Sequence, residues 1–116
     1  MTGDEYIKAQ IARAAWLRAK ENGPLAMLAV AMVVRNLERT GKSWLAACDE
    51  VTVECFGGNP DVRNPDFQKL LYGVESIFDG TAPDKLTNGA TLIGYLGEAY
   101  PGYQQCAVVS GLVLLK

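Results

Sequence analysis

The segment from Pro24 to Thr40 constrains the fold more than any other, because Leu25, Met27, Leu28, Val30, Met32, Val33 and Val34 fall around the whole circumference of a helix. A helix that is apolar on every side is stable in water only when other elements cover it, so the rest of the chain must wrap around this one. Its limits are marked locally. Gly23-Pro24 interrupts the preceding pattern, Pro24 has no N–H to lose in a first turn, and Gly41 suits the end. The unbroken apolar part, Leu25 to Val34, is too short to span a bilayer, so no membrane span is expected.

Around this helix the punctuation predicts three more. A first helix, capped by Thr2 or Asp4 and running to about Asn22, places Ile7, Ile11, Ala14, Ala15 and Trp16 near one face. Ser43 caps a short helix from Trp44 to about Glu50. Gly57-Gly58-Asn59-Pro60 is a turn signal in the stretch that follows. Asn64 as cap, Pro65 at the first helical position and Asp66 in the first turn then open a helix with Phe67, Leu70, Leu71, Val74 and Ile77 or Phe78 on one face, stopped by Gly80. Beyond the turn signals at Ala82-Pro83-Asp84 and Thr87-Asn88-Gly89, the segments Ala90 to Tyr95 and Ala107 to Leu115 read as two strands, an antiparallel pair. The expectation is one α+β domain over residues 1–116, mainly helical, with a small C-terminal β pair. A chain of 116 residues buries about 65% of its unfolded surface, enough for one core.

Composition removes several chemistries. There is no histidine, which excludes Ser-His-Asp and Cys-His catalysis and any zinc site with imidazole ligands. Cys48, Cys55 and Cys106 are too few for a four-thiolate cage and fit no CxxC spacing. They read as free thiols in a reducing compartment, with a Cys48 to Cys55 disulfide after release as the alternative. No metal and no cofactor are called for. The net charge of −2 comes without a cluster of Lys and Arg, so no nucleic-acid partner is expected. Without a signal-peptide pattern the chain is expected to be made in the cytoplasm, reaching the exterior only through lysis or carriage in a phage particle.

The stretch from Trp16 to Asn36 resembles the core motif of the SleB-type, spore-cortex-lytic cell-wall hydrolases, approximately Tyr-Gly-Glu-Ala-Arg followed by a helix reading Ile-Ala-Val-Ala-x-Val-Val-Leu-Asn. Trp16, Leu17, Arg18, Ala19 and Lys20 stand in the positions of Tyr, Gly, the catalytic Glu, Ala and Arg. Leu28-Ala29-Val30-Ala31 and Val33-Val34-Arg35-Asn36 follow without a gap. Further on, Cys48-Asp49, Glu54-Cys55-Phe56 and Thr87-Asn88-Gly89-Ala90-Thr91 are similar to later family segments, and Gly111 to Leu115 is similar to its last strand. The region between Cys48 and Cys55 is shorter than in the family, and Leu92, Ile93 and Gly94 replace its aromatic or His residues.

The resemblance implies a lysozyme-like helical fold that cleaves peptidoglycan glycan strands, with a Glu at the end of the first helix as general acid. Cleavage needs a proton for the leaving oxygen, which a carboxyl of raised pKa can hold. Arg18 occupies that place, and a guanidinium stays protonated and does not cycle. The substitute carboxylates are Glu21, one turn beyond Arg18, and Glu54, beside Cys55; Glu75 is a third, and each also reads as an ordinary solvated side chain. Arg18 and Lys20 could grip the lactyl or peptide carboxylates of a wall strand or an acidic protein surface. Trp16 could stack on sugar rings, as could Trp44, although both suit a core. Tyr95, Tyr100 and Tyr103 form an aromatic stretch around Pro101-Gly102 that could line a cleft.

Three functions remain open on these residues. One is a noncatalytic or impaired hydrolase-like domain that binds peptidoglycan or a protein partner. The second is an active, divergent glycosidase or lytic transglycosylase using Glu21 or Glu54. The third is a structural component of a phage particle.

Overall fold

A computed structural model describes residues 3–53, 55 and 59–116. Four helices, α1 (Gly3–Ala19), α2 (Pro24–Arg39), α3 (Trp44–Val51) and α4 (Pro65–Phe78), precede three strands, β1 (Leu92–Tyr95), β2 (Gln105–Val109) and β3 (Leu112–Leu115). The expected cap Thr2 and the turn residues Gly57 and Gly58 lie outside the described residues; Asp4 sits in the first turn of α1.

Helix α2 is central, as its all-round apolar pattern requires. It packs against α1, α3 and α4, and every residue from Ala29 to Leu37 is buried. Leu25, at the solvent end of its first turn, is the exception at 55% exposure. The contacting face of α1 is built of small side chains: Ala12, Ala14, Ala15 and Ala19 are buried beside Ile11. Helix α4 also comes close to α2, where a Cβ on Gly73 would overlap the Leu28 side chain.

Local chemistry sets the helix ends. Helix α1 stops at Ala19, short of the expected Asn22, and a single 3₁₀ turn over Lys20–Asn22 carries the chain to Gly23. Gly23 has φ of 97°, a conformation that glycine adopts without a Cβ penalty, and Pro24 follows at the first position of α2. The Ser43 hydroxyl accepts from Ala46 N–H at 3.1 Å, and the Asn64 side chain accepts from Asp66 N–H at 2.9 Å. Each cap satisfies one donor that the first helical turn leaves open.

The sheet corrects the sequence expectation of a strand pair. The apolar run expected as one strand, Ala107 to Leu115, folds back at Ser110-Gly111 into a hairpin. Both turn residues have positive φ, 47° and 90°, and Val109 lies opposite Leu112. A two-residue turn with both φ angles positive matches the right-handed twist of its flanking strands. The sheet therefore has three antiparallel strands in the order β1-β3-β2, with β3 at the centre and buried along its length. The first strand begins at Leu92 rather than Ala90, and β2 begins earlier than expected, at Gln105, with an irregularity at Cys106.

A polar network fastens the segment leading into β1 onto α2. The Asn36 amide, 9% exposed, lies 3.2 Å from Asp84 Oδ2, 3.1 Å from Thr87 Oγ1 and 2.9 Å from the Ala90 carbonyl. Asp84 also accepts from the Thr87 N–H and hydroxyl and from Gly89 N–H, at 2.8, 2.5 and 2.8 Å. Partial burial pushes the Asp84 carboxyl up, but these donors outweigh it and bring the pKa down to about 2. Beside it Arg35, 3% exposed, donates to the Ala82 carbonyl. Burial, and then the charge of Arg39, pull its pKa below the ordinary guanidinium value, while Asp84 acts in the opposite direction.

Candidate functional site

The network holds β1 where its residues face the ends of α1 and α3. Arg18, in the last turn of α1, reaches across so that its guanidinium lies 4.8 Å from the centre of the Tyr95 ring. A cation over a ring face is drawn by the ring quadrupole, an attraction of about 0.5–1 kcal/mol when exposed. The pair borders a cleft of about 120 Å³. Glu50, Val51, Val53 and Cys55 form one wall; Thr91, Leu92, Ile93 and Tyr95 form the other.

The cleft holds one carboxylate among the described residues, and it is engaged. Glu50 forms an ion pair with Lys42 Nζ at 3.0 Å, with both side chains more than 40% exposed. Glu21 is exposed on the 3₁₀ turn and does not line the cleft; nor does it form an ion pair with Arg18. Glu54 lies outside the described residues.

The other aromatic and basic candidates divide between faces. Trp16 packs edge-on against Phe67 of α4 with ring centres 5.6 Å apart, and Lys20 Nζ sits 6.0 Å from the Trp16 ring. Residues two apart on a helix do not share a face, so Trp16 turns toward α4 while Arg18 turns toward β1. Trp44 lies against Phe78, 5.1 Å between centres. Tyr100 does join the Arg18 side. Its hydroxyl accepts from Tyr95 N–H at 2.7 Å and donates to Glu98 at 3.0 Å, and its ring covers Gly94, where a Cβ would come within 2.6 Å of it. Desolvation, opposed by the Tyr95 N–H and reinforced by Glu98, raises the pKa of this phenol. Tyr103 is exposed in the same loop.

Cys48 is buried, and burial followed by the charge of Asp49 pushes its thiol up to about 12, which keeps it an inert thiol. Cys55 and Cys106 are also free and partly buried. Among the described residues no cluster of three metal-ligating side chains occurs, and no helix is long and apolar enough to cross a membrane. A larger and more open groove, about 310 Å³, runs between α1 and α4 and contains Glu75 with Glu5, Lys8, Gln68 and Tyr72. It does not include Arg18 and gathers side chains of mixed charge from two helices. The Arg18 cleft instead joins α1, the end of α3 and a strand edge.

The resemblance points to the Cys48–Cys55 region and to Leu92 and Ile93 as groove positions, and Val51, Leu92 and Ile93 do line this cleft, although none of them is among the candidate binding residues named from the sequence, because their apolar character equally suits a core. No protein-family model matches the chain, and no curated protein or solved structure matches it.

Proposed function

We propose that this chain is a noncatalytic domain of the cell-wall hydrolase type that binds peptidoglycan through the Arg18 cleft. The observation that carries the reading is the Arg18–Tyr95 stack at the mouth of that cleft, in the position where the resemblance calls for a general acid. A guanidinium held over a ring by its charge still has N–H donors to offer a carboxylate. Peptidoglycan offers carboxylates on its lactyl groups and peptides, and Tyr95, 47% exposed, adds an aromatic edge beside them. The same guanidinium supplies no proton for a leaving sugar oxygen. The lysozyme-like architecture belongs to this proposal; the mainly helical body and small antiparallel sheet accord with it.

Cosedimentation with purified sacculi tests the binding. The wild-type protein is expected in the pellet, and Arg18→Ala should weaken binding about tenfold, since a charge-assisted hydrogen bond contributes about 1.5–3 kcal/mol. Undiminished pelleting of an Arg18→Ala protein with wild-type circular dichroism would remove the cleft from the account.

A further inference from the structure

The backbone of β1 identifies what part of the wall polymer fits. Lys116 and Gln104 exchange both of their hydrogen bonds, at 2.8 and 2.9 Å. Backbone groups in an antiparallel ladder alternate sides, so residues 112, 114 and 116 turn toward β2, and 113 and 115 turn toward β1. The Leu115 carbonyl does turn toward β1, where it accepts from Thr91 N–H at 2.8 Å; Thr91 precedes the strand and departs from the alternation, whereas within β1 the Tyr95 N–H bonds outside the sheet to the Tyr100 hydroxyl. Leu92 and Gly94 stand opposite Leu115 and Val113 and face β3. Ile93 and Tyr95 therefore present their N–H and C=O groups to the free edge of the sheet. The Tyr95 N–H is taken by the Tyr100 hydroxyl. Among the described residues no group outside the β1–β3 ladder bonds to Ile93, which lines the cleft.

The edge thus offers a single donor–acceptor pair, closed off on one side by Tyr100, and an Arg whose charge is not offset by Glu50, which Lys42 already neutralises. An unpaired strand edge is a template for another extended backbone. The walls around Ile93 combine the apolar Val51 and Val53 with Arg18, Glu50 and Thr91, and a peptide backbone supplies the acceptor and donor that match the free pair at Ile93. Building on the proposed wall binding, we infer that the cleft takes the peptide rather than the glycan: a short extended peptide that exchanges a pair of hydrogen bonds with Ile93 and sets a carboxylate on Arg18. One pair and one charge suit a short peptide; a long added strand would need the Tyr95 N–H as well.

The test separates the two polymers. Stem peptides released from sacculi by an amidase and the peptide-free glycan strands left behind are each titrated into ¹⁵N-labelled protein. The peptides are expected to shift the Ile93 amide, with affinity falling about tenfold in Arg18→Ala and on amidation of the peptide carboxylates. Ile93→Pro, tolerated where an N–H points away from the sheet, should weaken the peptides and leave the fold intact. Binding by glycan strands alone, or by peptides without an Ile93 shift, overturns this inference while leaving wall binding in place. Failure of both fractions and of intact sacculi overturns the proposed function as well.

Discussion

Replacing Val33 by Asp is expected to eliminate the cooperative thermal unfolding transition. Val33 is fully buried in α2, among neighbours from the surrounding helices, and offers no partner for a carboxylate. Even after relaxation, an unpaired charge in such a place costs several kcal/mol, set against a total stability of about 5–15 kcal/mol for a native domain. If the carboxyl takes up a proton instead, the chain still loses the packed volume of the isopropyl group and buries a polar one. The matched control is Leu25→Asp. That residue is 55% exposed in the first turn of the same helix, where a negative charge meets the positive end of the helix dipole, so its melting temperature should stay near wild type. Circular dichroism melts of the two variants distinguish a helix buried all round from one with a solvent face. A Val33→Asp protein that melts like wild type contradicts the central placement of α2.

Asp84→Ala should lower stability by about 3 kcal/mol, because it strips the charged acceptor from the Thr87 N–H and hydroxyl and the Gly89 N–H together, and one of three from the Asn36 amide. For a domain of this size that corresponds to a fall in Tm of about 10 °C. The same group makes a pH prediction. Its folded pKa of about 2 lies below the ordinary unfolded value near 3.9, so its contribution is fully present above about pH 4 and is lost as pH falls toward 2. Urea unfolding across that interval should show wild type losing stability more steeply than Asp84→Ala. Parallel acid limbs for the two proteins would show that the carboxylate is not held by this network.

The parts of this architecture visible in the sequence are those governed by neighbouring residues. The all-round apolar run of α2, the Ser43 cap and the Asn64-Pro65 start each follow from interactions within one or two turns, and each stands where it was expected. The hairpin was missed because Ser110-Gly111 sits inside a run of apolar residues that reads equally well as one strand. Positive φ at both turn residues comes with the two-residue hairpin that pairs β2 with β3, a pairing that a linear pattern does not reveal. The site was legible only in pieces. Arg18 and Tyr95 were both candidates, but their stacking depends on the Asn36–Asp84 link, made across 48 positions, that fixes β1 against the helices. Trp16, two residues before Arg18, turns toward Phe67 of α4, because positions two apart on a helix do not share a face.

The most direct test of the account asks whether the protein binds peptidoglycan without cutting it. On the proposed reading, purified sacculi incubated with wild-type protein should retain it in the pellet while the supernatant gains no muropeptides, since Arg18 stands where the resemblance calls for the acid and the one cleft carboxylate among the described residues, Glu50, is solvated and paired. Soluble muropeptides that appear with wild type and disappear with Glu21→Gln or Glu54→Gln would contradict a noncatalytic cleft.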